Sequence, residues 1–307
     1  MADWDLESAA RLDGRVAVVT GANSGLGFAT AAGLRAQGAR VLLACRNTTK
    51  ADEAADRLVA LGPGPAPLVV RLDLEDLDSV AAARDEILGN VDRVDLLINN
   101  AGLMGPVGAD SGHRQLWANH LGHVALTAGL AAQLERDGGR IVVVSSLMHR
   151  RGKLRAAEPL AIEDQKPMTA YGSTKLMNLL FCFEADRRLR AARSATSVRA
   201  AHPGNSRSEL AKNGIAKDRP KVIESIVAFS GDRLAQSTER GALPTLRAAL
   251  DPAIPPGAYV GPSGPFEIWG DPVPVTPSKQ ALDPVLAAAL FDASLEAVGA
   301  SWLASAS

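Results

Sequence analysis

The chain has 307 residues, 47% hydrophobic and 22% charged, with a formal net charge of −1. This is the ordinary globular range, and it leaves no broad basic field for nucleic acid or an anionic membrane. No apolar run reaches the length of a membrane span, and the acidic opening Met1 to Glu7 is no signal peptide, so a cytoplasmic protein without a membrane partner is expected. Cys45 and Cys182 both sit in apolar runs and read as reduced core residues.

In chain order, short apolar runs alternate with longer amphipathic stretches. Val16–Thr20, Arg40–Cys45, Leu68–Leu72, Val94–Asn99, Arg140–Ser145 and Ser197–His202 read as strands. Their near-continuous apolar character suits parallel strands covered on both faces. Helical patterns fall near 25–37, 49–61, 76–89, 112–136 and 171–192, with Gly38 placed as a stop and Asn47 or Thr48 as a cap. The β-α-β-α rhythm predicts an α/β fold, a doubly wound, mostly parallel Rossmann-type sheet with helices on both faces. A single domain over 1–307 is expected, with 14–204 as cofactor and catalytic core. Residues 205–280 read as substrate loops: 205–240 polar and helical, and 251–278 rich in proline and glycine, with one strand at Gly257–Val260. Residues 283–299 read as a closing helix.

The first strand runs into Thr20-Gly21-Ala22-Asn23-Ser24-Gly25-Leu26-Gly27, a G-x-x-x-G-x-G spacing. Glycines let the backbone approach a pyrophosphate, and the following helix offers free N–H groups and its positive dipole end. No Lys-Ser/Thr pair follows, so this is not a nucleoside-triphosphate loop. A site for NAD has an acidic residue about 20 positions on, at the end of the second strand. Here Arg46 stands there, and a guanidinium suits a 2′-phosphate, so NADP(H) is the expected cofactor. Asp73 ends the third strand, facing the adenine amino group or capping the next helix.

The motifs then continue in a fixed order: Asp73-Leu74, Asn99-Asn100-Ala101-Gly102, Asn119-His120-Leu121-Gly122-His123, Val144-Ser145-Ser146, Tyr171-Gly172-Ser173-Thr174-Lys175 and His202-Pro203-Gly204. Over residues 14–210 this order resembles the short-chain dehydrogenase/reductase family. The Asn119–His123 run and Ala44-Cys45-Arg46-Asn47 look most like its retinol dehydrogenase and protochlorophyllide reductase relatives. The resemblance implies a catalytic tetrad of Asn119, Ser146, Tyr171 and Lys175. Ser146 is preferred to Ser145 because it stands 25 residues before the tyrosine. It also implies that the cofactor is held by Gly21, Asn23, Ser24, Gly25, Leu26, Gly27, Arg46, Asp73, Leu74, Asn99, Ala101, Gly102, Tyr171, Lys175, Pro203 and Gly204. Within that set, Asn119 would distort its helix and position a relay water. Asn99 would steady the sheet near the adenosine ribose, and the 203–204 backbone N–H groups would meet the nicotinamide carboxamide.

Tyr171 and Lys175 are four apart, on one helix face. A free tyrosine is a poor base at neutral pH, and an adjacent ammonium is expected to lower its pKa. The tyrosine would then exchange a proton with a carbonyl or alcohol while Ser146 steadies the oxygen. Met148 and Met168 flank this region as pocket or core residues. The basic trio His149, Arg150 and Arg151 reads as a solvated loop or a contact for an acidic substrate group. His113, His120 and His123 lack a carboxylate pattern for metal, so no metal is expected.

The predicted reaction is hydride transfer between NADP(H) and a small-molecule carbonyl or alcohol, with an apolar aldehyde or ketone as the substrate class that the resemblance implies. The retinol-type relatives often carry a membrane anchor, and no such segment stands out in this sequence. Relatives commonly form homodimers or homotetramers through the helices near 112–136 and 171–192. The competing class is an NADP(H)-binding redox sensor that does not turn over.

Overall fold

The computed structural model describes residues 4–105, 110–205 and 236–302. Eight strands form one sheet in the order β3-β2-β1-β4-β5-β6-β7-β8. They are β1 Val16–Thr20, β2 Arg40–Cys45, β3 Leu68–Arg71, β4 Leu96–Asn99, β5 Arg140–Val144, β6 Ser197–Ala201, β7 Tyr259–Pro262 and β8 Pro272–Pro274. Neighbours pair in parallel from β3 through β7, and β8 closes the edge antiparallel. The first six strands lie within two residues of the ranges predicted from sequence, and β7 begins two residues later than predicted.

Strand β8 was missed because Pro272 and Pro274 argue against a strand. An edge strand tolerates proline, and β8 pairs with β7 through Val260↔Pro274 and Gly261↔Val273.

Alternate residues of each central strand enter different cores. Val18, Leu42, Leu97 and Ile141 face one side, with Ile87, Val124, Leu180 and Phe291 packed over them. Ala17, Val19, Leu43, Ile98 and Val142 face the other, under Leu34, Leu58 and Leu246. Helices α1 Gly25–Ala36, α2 Thr48–Ala60 and α8 Thr238–Leu250 therefore cover one face. Helices α3 Leu77–Asn90, α5 Gly122–Gly129, α7 Pro167–Ala191 and α9 Pro284–Ala297 cover the other. Continuous apolar strands make this doubly wound arrangement the stable one.

The helix predicted near 112–136 is broken into α4 Ser111–Leu116, a π-helical turn Trp117–Leu121, α5 and α6 Ala131–Asp137. Most of the predicted 205–240 helix, together with Arg207, lies outside the described residues.

Candidate active site

The strand order reverses about β1, where β2 and β4 flank it on either side. At such a switch point the strand ends splay and leave a crevice for a ligand. Here a cleft of about 680 Å³ opens along the carboxyl ends of the central strands. The residues from Gly21 to Gly27, except Ala22, line it, with Arg46, Asp73, Leu74, Ala101, Gly102, Ser146, Tyr171, Lys175, Pro203 and Gly204. The sheet thus brings together residues that lie far apart in sequence.

The glycine loop is shaped by the absence of side chains. Gly21 has φ +66°, in the left-handed region. A Cβ on Gly27 would sit 2.3 Å from the Gly21 carbonyl oxygen, so the turn closes only with glycine there. The floor is set by Thr20, whose Oγ1 accepts from the backbone N–H groups of Asn100 and Ala101, each at 2.9 Å. His123 Nε2 lies 2.9 Å from the same hydroxyl, and His123 is pushed down to about 3, chiefly by burial, so it stays neutral.

Two expected residues stand outside the cleft. The Asn99 side chain is buried and its Nδ2 donates to Thr127 Oγ1 at 2.8 Å; the next residue, Asn100, lines the cleft instead. Strand alternation explains the exchange, since adjacent residues point to opposite faces. Asn119 is also buried, within the π turn. Its Oδ1 accepts from Leu103 N at 2.7 Å, and its Nδ2 donates to Leu103 O at 2.9 Å and Thr174 Oγ1 at 3.0 Å. Its amide therefore clamps the loop after β4 to α7. The irregular helix coincides with the expected distortion, as π turns often do at functional sites.

At the other end, Ser146 follows β5 and its hydroxyl meets the Tyr171 phenol. Ser145 also borders the cleft, but its hydroxyl is engaged, donating to the Lys175 carbonyl at 2.8 Å. Lys175 Nζ donates to Val144 O at 3.2 Å and lies 5.7 Å from the Tyr171 ring centre. A Cβ on Gly102 would come within 3.1 Å of Asn119 Oδ1 and 3.4 Å of Lys175 Nζ, so this glycine leaves room for the ammonium. Gly204 and Asn205 form the far lip. Contrary to expectation, the Gly204 N–H is already engaged, donating to His202 Nδ1 at 3.2 Å, and the neighbouring Asn205 N–H donates to Ile268 O at 2.8 Å. Pro203 has no N–H to offer.

The sequence matches the short chain dehydrogenase family over residues 15–217. The chain belongs to this family. It is 32% identical to retinol dehydrogenase 12 of Mus musculus over 298 residues, covering 95% of this chain and 89% of that one. It is 39% identical to retinol dehydrogenase 14 of Mus musculus over 216 residues, 66% of this chain and 64% of the relative. Among solved structures, an uncharacterized protein from Mycobacterium paratuberculosis superposes with a TM-score of 0.78 at 35% identity, covering 99% of this chain and 100% of that one. The chain thus falls in the retinol dehydrogenase-like branch of the short-chain dehydrogenases.

The electrostatics of this short-chain dehydrogenase depart from the sequence reading at its centre. Burial pushes the Tyr171 phenol up to about 12, opposed by the hydrogen bond with Ser146. Burial pushes the Lys175 ammonium down to about 8. The expected lowering of the phenol by the lysine is absent: burial dominates both groups, and the only influence that lowers the phenol is Ser146. Helical spacing carries no information about that burial.

Just after β2, Arg46 is largely exposed and its Nη1 lies 3.1 Å from Glu75 Oε1. Arg114 forks the same carboxylate, with Nε–Oε2 at 2.7 Å and Nη2–Oε1 at 2.9 Å. The two guanidiniums, Arg114 foremost, hold Glu75 below the usual carboxylate range. Asp73 does not cap α3: Asp76 does, through Asp78 N at 3.0 Å, while Asp73 Oδ1 accepts from Glu75 N at 3.1 Å.

Lining residues that the sequence reading missed include Lys50, Glu75, Asn100 and Met104. Lys50 and Glu75 look like ordinary surface charges in sequence. Asn100 was within reach, given the parity rule at the end of β4. His149 was misread as solvated: it is buried, with Nδ1 2.7 Å from the Ser146 carbonyl. Among the described residues, no helix is long and apolar enough to cross a membrane.

Proposed function

We propose that this short-chain dehydrogenase is NADP(H)-dependent and reduces an apolar aldehyde or ketone. The observation that carries the reading is the single cleft shared by the glycine loop, Arg46 and the Ser146–Tyr171 pair. Its size suits a ligand of dinucleotide scale. The residues present fit the cofactor: a turn at Gly21–Gly27 whose three glycines let the backbone approach the pyrophosphate, and Arg46 with Lys50 for a 2′-phosphate. The bound nicotinamide supplies a hydride at C4.

Tyr171 keeps its proton at neutral pH and is placed to donate it to a carbonyl oxygen in the reductive direction. The Ser146 hydroxyl steadies the charge that develops on that oxygen. Lys175 adds a buried positive charge beside Gly102, where the ribose is expected. Asp73 is proposed to face the adenine amino group. Met104, Met148 and Met168 line the substrate end, and thioethers adapt to varied apolar shapes. The names of the retinol dehydrogenase relatives support an apolar substrate.

The test is loss of NADPH absorbance with a panel of aldehydes and ketones graded from polar to apolar. Turnover rising with substrate hydrophobicity is expected. Tight NADPH binding with no turnover on any substrate would favour the sensor reading.

A further inference from the structure

A second buried side chain reaches the site from behind Ser146. His149 lies in the short 3₁₀ turn Leu147–Arg151 and is 1% exposed. Its Nε2 lies 3.1 Å from the backbone nitrogen of Ser278. A backbone N–H can only donate, so Nε2 is the bare, accepting nitrogen. The single proton of a neutral imidazole then sits on Nδ1. Nδ1 lies 2.7 Å from the Ser146 carbonyl oxygen, which can only accept. The two backbone partners thus fix one tautomer. Burial, the leading cause, pushes His149 down to about 4, so the ring is neutral at physiological pH.

The surroundings hold the ring in place. Tyr259 meets it edge-on, with centroids 5.6 Å apart and planes at 87°. The adjacent Arg150 donates to Glu267 Oε1 and to Thr276 O, each at 2.9 Å. The turn after Ser146 is therefore tied at two points to the segment just beyond β8.

We propose that His149 is a positioning residue: as the Nδ1–H tautomer it fixes the Ser146 peptide, and through it the aim of the Ser146 hydroxyl. This rests on the reading of Ser146 and Tyr171 as the catalytic pair. The His149 backbone N–H also donates to the Ser146 carbonyl, at 3.0 Å. Losing the imidazole should therefore misaim the serine rather than unfold the turn.

The test compares His149→Asn with His149→Gln. The asparagine amide nitrogen takes the place of Nδ1 and keeps the bond to Ser146. The glutamine amide takes the place of Nε2 and loses that bond. In His149→Gln, kcat should fall by about tenfold, while the KM for NADPH changes by less than about twofold. His149→Asn should recover most of the rate. Equal losses in both variants, or a loss confined to KM, would reduce His149 to a space-filler. Should either variant fail to fold, nitrogen-15 imidazole spectra of the wild-type protein decide the tautomer, with His149 assigned through its contacts to the Tyr259 ring. A protonated Nδ1 and a bare Nε2 are expected; the opposite tautomer, or an imidazolium at neutral pH, overturns the proposal. If Tyr171→Phe left turnover intact, the catalytic reading would fail while the tautomer result still stood, so the two failures are distinguishable.

Discussion

Replacing Arg46 by aspartate should reverse the cofactor preference. In the wild type Arg46 reaches Glu75, but Arg114 holds both oxygens of that carboxylate. Arg46 can therefore turn to a 2′-phosphate without leaving Glu75 unpaired. A charge-assisted bond from Arg46 is worth ~1.5–3 kcal/mol, and its exposed position puts it at the lower end. An aspartate replaces that attraction with repulsion of the phosphate, adding about 1 kcal/mol at short range in water. The sum, ~2.5–3 kcal/mol, corresponds to roughly 100-fold in the ratio of kcat/KM for NADPH over NADH. Aspartate can also accept the 2′-hydroxyl of NADH, which moves the ratio the same way. Steady-state kinetics with both cofactors and one saturating carbonyl substrate measures it. A ratio unchanged within about threefold would show that Arg46 does not discriminate and would refute the assignment of the adenosine end.

Two further outcomes follow from the same geometry. Gly27→Ala would place a methyl group 2.3 Å from the Gly21 carbonyl oxygen. It should cost ~1–3 kcal/mol of stability or distort the loop; chemical denaturation and NADPH titration check this, and wild-type values in both would contradict the close packing. The reduction rate should fall as pH rises through about 8, where the lowered Lys175 loses its charge, while Tyr171, raised to about 12, stays protonated. Lysine is charged below its pKa, so the plateau lies on the acid side; a rate rising from pH 7 to 9 would contradict this assignment.

The first six strands and most helices were legible because strands buried on both faces carry continuous apolar runs, and amphipathic helices a 3.6 period. The glycine loop was legible because its spacing is local, whereas Ser146, Tyr171 and Lys175 were picked out together only through the order of motifs shared with the family; the structure places all three on the same cleft. What escaped depends on distant contacts or on burial. The edge strand Pro272–Pro274 hides behind its prolines. Glu75 gains meaning only where Arg46 and Arg114 converge on it. His149 sits in a basic trio that looks solvated, yet the segment at Ser278 covers it. Helical spacing gave the proximity of Tyr171 and Lys175, but the direction of their pKa shifts follows from a desolvation that no spacing encodes.

The most direct measurement is the single-turnover reduction rate of Tyr171→Phe alongside its NADPH dissociation constant. A proton held on the phenol and delivered to substrate predicts a rate loss of about 10²–10⁴-fold, with cofactor affinity within a few-fold of wild type. A variant that binds NADPH normally and still reduces its substrate at the wild-type rate would contradict the account.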